Sequence, residues 1–146
     1  MRIDLRPAKP EDREYLWRLH CQTIGEYVDE TWGWDEAWQR ERFDENFDPV
    51  PLRIIERDSA LVGYILVWRP GDEIFLGAIE IAAEHQNQAI ATQLVRELFA
   101  EADQSRLSVK LFVLKVNPAR RLYGRLGFRC IEETPTHYVM RREPPD

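Results

Sequence analysis

At 146 residues, 44% of them hydrophobic and 32% charged, the chain has the size and composition of one folded domain spanning 1–146 and not of a disordered segment. Its longest apolar run, Leu61-Val62-Gly63-Tyr64-Ile65-Leu66-Val67-Trp68, is far short of the ~20 residues that cross a bilayer, and Met1 to Pro7 holds no apolar signal stretch, so neither a membrane span nor export is expected. The net charge of −6 is concentrated between Glu26 and Asp48, where nine acids face two bases, which argues against a phosphate-tracking nucleic-acid surface there and for a cationic ligand or partner.

Residues 2 to 6 alternate as a short strand, and Pro10 followed by Glu11 and Asp12 marks a helix start with acids in its first turn. Leu16, Leu19, Thr23 and Tyr27 recur on one face of that helix. Gly25 weakens it, and Thr31-Trp32-Gly33-Trp34 breaks it before a second helix from about Asp35 to Phe47. Asp48-Pro49-Val50-Pro51 closes the second helix. A β pattern then begins: Arg53 to Arg57, the turn Asp58-Ser59-Ala60, and Leu61 to Trp68 predict a hairpin, which Glu73 to Ile81 extends to a three-strand meander.

The next strand-to-helix connection carries chemistry. Glu84-His85-Gln86-Asn87-Gln88-Ala89 is a polar turn that opens an amphipathic helix striped by Ile90, Leu94, Val95, Leu98 and Ala102. The first N–H groups of a helix lack partners inside it and sit at the positive end of its dipole, so a phosphate fits there without a basic side chain. Small residues at Ala89 and Ala91 let an anion approach the main chain. The same residues also suit an ordinary connection. Val109 to Val116 is a further strand, Asn117-Pro118 pairs a favoured N-cap with a proline at the first helical position, and Ala119, Leu122, Tyr123 and Leu126 follow at helical spacing. Gly127 is placed to end that helix with positive φ, and Phe128 to Ile131 and Thr136 to Arg141 are the last strands. The order β-α-α-β-β-β-α-β-α-β-β predicts an α+β fold, a twisted mixed sheet of about seven strands flanked by about four helices. Cys21 and Cys130 have no metal-ligand spacing, no metal is expected, and two thiols without a disulfide framework suit a reducing, cytoplasmic setting.

Two stretches in this order resemble the GNAT superfamily of acyl-CoA-dependent N-acyltransferases, and the resemblance covers nearly the whole chain. Gln86-Asn87-Gln88-Ala89-Ile90-Ala91 is similar to that family's (Gln/Arg)-x-x-Gly-x-(Gly/Ala) loop, and Asn117-Pro118-Ala119-Arg120-Arg121-Leu122-Tyr123-Gly124-Arg125-Leu126-Gly127-Phe128 to its Asn…Ala…Leu-Tyr…Leu-Gly-Phe helix. The resemblance implies acetyl-CoA as co-substrate. It places the pyrophosphate on Gln86, Asn87, Gln88, Ala89, Ile90, Ala91 and Thr92, the pantetheine arm along the backbone of Ile79 and Ile81 as an added strand, and further cofactor contacts at Asn117 and Arg120. Ala89 stands where the family has Gly, so a positive φ there would be strained. The loop lacks the family's frequent basic residue, and Asn117 is one residue nearer Tyr123 than in the commonest form of the motif.

Acyl transfer needs a deprotonated amine, a polarised thioester carbonyl and a proton for the departing thiolate. The resemblance gives Tyr123 the last role; the helix stripe also allows it to be a core aromatic. Glu80 lies between Ile79 and Ile81, faces away from both by strand alternation, and is either the general base or a solvent-facing strand residue. His137 and Asp35 are reserve bases. Tyr27, Trp32, Trp34 and Asp35, with Trp38, combine aromatic faces and carboxylates that suit a cationic amine; they equally suit packing under a loop or a homodimer contact. The chain thus reads as an N-acetyltransferase acting on a primary amine of a small cationic molecule or of a protein by direct attack in a ternary complex. A non-catalytic acyl-CoA-binding module and a protein-interaction domain using the acidic Trp-rich face are the alternatives.

Overall fold

The computed structural model describes all residues except Met1, Pro49, Val50, Asn87 and Gln88. The expected element order is the observed one. Strands are β1 (Ile3–Pro7), β2 (Leu52–Arg57), β3 (Ala60–Trp68), β4 (Glu73–Ile81), β5 (Ser108–Leu114), β6 (Arg129–Glu133) and β7 (His137–Arg142); helices are α1 (Arg13–Trp32), α2 (Glu36–Asn46), α3 (Ile90–Gln104) and α4 (Ala119–Leu126). The strands form a seven-stranded mixed sheet in the order β1-β2-β3-β4-β5-β7-β6. This is the α+β class that the sequence predicts. The first helix passes through Gly25 and stops at the expected break, at Gly33, where φ is +82°.

The chain groups into two compact units, Met1–Leu66 with Ala78–Gln88, and Val67–Gly77 with Ala89–Asp146. In the first, β1 and β2 pair antiparallel, as do β2 and β3. The two-residue turn between β2 and β3 has positive φ at both Asp58 (51°) and Ser59 (74°), a primed hairpin geometry whose twist matches the strands. The core gathers Ala8, Leu16, Leu19, Leu52, Ile54, Tyr64 and Ala82, with Tyr15, Phe43 and Phe47 packed against it. In the second unit, β4 pairs β5 in parallel through Glu73, Ile74 and Phe75, and β7 lies antiparallel between β5 and β6. Leu94, Val95, Leu98 and Ala102 are the buried stripe of α3, and Phe128 meets Phe99 and Tyr123 at ring-centroid distances of 5.3 and 5.7 Å.

A partly buried ion pair fixes the start of α1. Arg6 donates from its two terminal nitrogens to the Asp12 carboxylate at 3.0 and 3.1 Å, and the Lys9 backbone N–H donates to the same group at 2.8 Å. The Arg6 hydrogen bonds hold the Asp12 carboxyl below the usual carboxylate range. Asp12 therefore contributes stability that is present above the unfolded-state pKa and is lost as pH falls through the lower folded value, a window below about pH 4. Asp12→Asn is expected to lower stability at pH 7 by about 1–3 kcal/mol, since Arg6 keeps Glu56 as a second partner. In denaturant titrations across pH 2–7 the variant should show a shallower loss below about pH 4; an unchanged midpoint and slope would contradict this assignment.

Candidate active site

Glu80 sits near the end of β4, its side chain only 10% exposed. A carboxylate that far from water needs donors. Tyr64, on β3, donates its hydroxyl to Oε2, and Thr23, on α1, donates to Oε1. His20, one turn earlier on α1, places Nδ1 3.3 Å from Oε2 and 3.4 Å from the Tyr64 hydroxyl oxygen. Burial, followed by the charge and hydrogen bond of Glu80, pushes the Tyr64 phenol well above its ordinary range, so it stays a protonated donor. The Glu80 carboxylate is thus gripped from two elements while His20 approaches it from one side.

Gly63 makes this approach possible. A methyl group there would lie 2.2 Å from the Glu80 carbonyl oxygen and 3.1 Å from Ile81 Cα, both main-chain atoms that cannot swing away. The next connection is tied to both strands: Ala82 N–H donates to Val62 O on β3 at 2.8 Å, and the Gln86 side-chain amide donates to Ile81 O on β4 at 2.9 Å. Gln86 therefore braces the polar turn against β4. Asn87 and Gln88, both expected in the phosphate loop, lie outside the described residues. Ala89 adopts the left-handed conformation, φ 61° and ψ 16°, as the N-cap of α3, and its side chain caps nothing. The strain expected of an alanine in a glycine position is present, at roughly 1–2 kcal/mol. Ile90 is buried while Ala91 and Thr92 are half-buried in the first turn, whose N–H groups have no acceptors within the helix.

In the second unit Tyr123 is buried on α4 with its ring edge-on to Phe128. Asn117 accepts from Ala119 N–H at 2.9 Å, so its side chain caps α4 as its residue type suggests. Gly127, φ +120°, ends that helix, with Phe128 N–H donating to Tyr123 O at 3.0 Å. The Arg120 guanidinium lies 5.6 Å above the Tyr138 ring. His137 Nδ1 is 2.8 Å from the Thr136 hydroxyl, and burial lowers its pKa, so its imidazole is neutral at neutral pH.

The aromatic residues at the α1–α2 junction do not act alike. Trp34 stacks on Trp17 at 6.1 Å, and Trp17 meets Phe43 at 5.4 Å, so Trp34 belongs to a packed cluster reaching His20. Trp32 and Trp38 are 58% and 53% exposed, and Tyr27 is half-buried. The chain's own arginines cover part of this face: Arg40 lies over Trp17 and Arg42 over Trp38. Asp35 accepts from Trp38 N–H at 3.1 Å as the N-cap of α2.

Sequence reasoning singled out Glu80 and missed the grouping of His20, Thr23 and Tyr64 around it. A signal for His20 was present: it lies four residues after Leu16 and three before Thr23, a polar group at the spacing of the apolar stripe.

The family model described as the acetyltransferase (GNAT) family matches residues 14–128. The chain belongs to that family. This GNAT acyltransferase is 29% identical over 131 residues, 86% of this chain and 80% of the other, to a Bacillus subtilis (strain 168) protein whose proposed activity is that of a ribosomal protein bS18-alanine N-acetyltransferase. Its fold is similar to that of the PaiA N-acetyltransferase from Thermoplasma acidophilum in complex with coenzyme A, with a TM-score of 0.77, 19% identity, and 98% and 99% of the two chains covered. It is also similar to that of the ribosomal-protein-S18-alanine N-acetyltransferase from Escherichia coli, with a TM-score of 0.70, 16% identity, and 99% and 96% covered. Among the described residues of this GNAT chain no helix is long and apolar enough to cross a membrane.

Gly63→Ala should disturb the Glu80 strand more than its small volume suggests. We expect a destabilisation of about 1–3 kcal/mol, together with a shifted Glu80 in a crystal structure of the variant. Wild-type stability with an unmoved β4 would show that the close approach is not required.

Proposed function

We propose that the chain is a single-domain, cytoplasmic N-acetyltransferase that moves the acetyl group of acetyl-CoA to a primary amine in a ternary complex, without a metal. The observation that carries this reading is Glu80: a nearly buried carboxylate held by Tyr64 and Thr23 on the strand that leads into the acyl-CoA loop of a GNAT chain. In this reading the pyrophosphate meets the backbone N–H groups at the start of α3, from Ala89 through Thr92, with Gln86 bracing the turn; the family motif assigns Asn87 and Gln88 to the same loop. A positive φ at Ala89 supports this, because it is the conformation for which a loop of this type favours glycine. The pantetheine arm pairs with the backbone of Ile79 and Ile81, and the family resemblance assigns further cofactor contacts to Asn117 and Arg120.

The chemistry follows from the groups present. The acceptor ammonium gives up one proton on the Glu80 side, its nitrogen attacks the thioester carbonyl, the C–S bond breaks, Tyr123 supplies the proton that makes the departing thiolate a thiol, and the second proton that the nitrogen loses as the amide forms restores Tyr123. Tyr27, Trp32, Trp34 and Asp35 form the acceptor face, with His137 as a further contact. The names of two similar proteins, ribosomal protein S18-alanine N-acetyltransferases by established or proposed activity, support a protein or peptide acceptor; the acidic α1–α2 segment supports a cationic one, small or macromolecular.

Saturating acetyl-CoA should raise the melting temperature, because a ligand that binds only the folded state stabilises it. Release of CoA thiol in the presence of an amine and peptide panel should then fall about 10²-fold or more in Tyr123→Phe, the loss typical of removing a general acid. No thermal shift would remove acetyl-CoA from the account and favour an interaction domain. A shift without turnover of any amine would favour an acyl-CoA-binding module, and full activity in Tyr123→Phe would remove its proton-donor role.

A further inference from the structure

Glu80 has little room to meet an amine directly. Oε1 is taken by Thr23, Oε2 by Tyr64 and by the approach of His20, and 10% of the side chain is exposed. An amine would have to reach the carboxylate between these side chains, through the small part of it that is exposed. His20 is differently placed. Its side chain is 23% exposed, Nδ1 makes both of its polar contacts, and Nε2 has no hydrogen-bond partner among the described residues.

The proton positions follow from the partners. Tyr64 has one hydroxyl proton and gives it to Glu80, so the atom on His20 facing Oε2 has to be the N–H donor if this contact is to be attractive. A neutral imidazole protonated at Nδ1 carries its lone pair on Nε2. Ring rotation is restricted, since His20 lies against Trp17 and Phe43 at centroid distances of 6.2 and 5.8 Å. The titratable and charged groups around it are Glu80 from β4 and Tyr64 from β3, with Cys21 beside it on α1; from α2 the charge that meets this aromatic group is Arg40, over Trp17.

We propose that His20 is the group that takes the acceptor's proton, through Nε2, and that Glu80 is its positioning partner, holding Nδ1–H in place. This rests on the acetyltransferase reading and assigns the proton step within it. An acceptor ammonium loses two protons in becoming an amide. One passes to the Nε2 lone pair and from there to water; the other balances the proton that the departing thiolate takes up when the C–N bond has formed and the C–S bond has broken. The arrangement is a carboxylate–imidazole pair, in which the buried acid fixes the tautomer and stabilises the imidazolium that forms.

The test has an arm that does not depend on turnover. Long-range ¹H–¹⁵N spectra of the imidazole in the full chain should show neutral His20 protonated at Nδ1; a dominant Nε2–H tautomer would overturn the proposal. In the second arm, His20→Gln should lower kcat/KM for CoA-thiol release by about 10²–10⁴-fold, abolish the acidic limb of its pH profile, and keep the thermal shift with acetyl-CoA. Added imidazole should restore part of the activity of His20→Ala. A His20→Gln enzyme with wild-type rate and pH profile would overturn the proposal while leaving the acetyltransferase reading intact. Wild-type protein that binds acetyl-CoA and acetylates no amine would instead overturn that reading, and this proton step with it.

Discussion

Burying the Glu80 carboxylate constrains the molecule more than any other single contact, because an ionised group removed from water is tolerated only where donors surround it. Two elements meet that demand. β3 has to supply Tyr64 and, one residue earlier, Gly63, whose missing side chain lets the Glu80 carbonyl come close. α1 has to present Thr23 and His20 from adjacent positions on one face, which sets its rotation about its own axis. A one-residue slip of either strand would turn Glu80 or Tyr64 to the opposite face of the sheet. The Arg6–Asp12 pair acts in the same direction from a distance, since it fixes where α1 begins.

The site also stores strain in a place with a chemical use. Ala89 holds a positive φ at the first turn of α3, where a glycine would be free of cost. The N-cap residue Ala89 has no side chain that could cap this end, where the first N–H groups have no acceptor inside the helix. By contrast, α4 starts with its cap satisfied by Asn117, and α2 with its cap satisfied by Asp35. The difference supports α3 as the anion-binding end. It also places Asp35 in a structural role that competes with the part of a reserve base.

Much of the fold was legible because its signals are local. Alternation in β2 and β3, the amphipathic stripe of α3, the Asn117-Pro118 start and the Gly127 stop each follow from residues within a few positions of one another, and the structure reproduces them. Gly25 sits inside a helix that runs to the expected break at Gly33, because a glycine costs a helix only about 1 kcal/mol and a 20-residue helix packed on a core absorbs that. The grouping around Glu80 was not legible. Its contacts join residues 57, 60 and 16 positions apart, and no local pattern encodes which polar group on a distant helix will face a strand acid. The tryptophans show the same limit: composition suggested one acidic aromatic face, whereas packing divides Trp34, stacked on Trp17, from the exposed Trp32 and Trp38. Gly124 remains without a packing reason, for a side chain there would meet open space.

The central claim is that the Glu80 cluster is where the acceptor loses its proton. The most direct measurement is the steady-state rate of CoA-thiol release by Glu80→Gln, beside its affinity for acetyl-CoA. A glutamine keeps the volume and can accept from Thr23 or Tyr64, but it carries no charge. The account predicts kcat/KM for the amine reduced by about 10²-fold or more with acetyl-CoA affinity unchanged. A variant as fast as the wild type would contradict it.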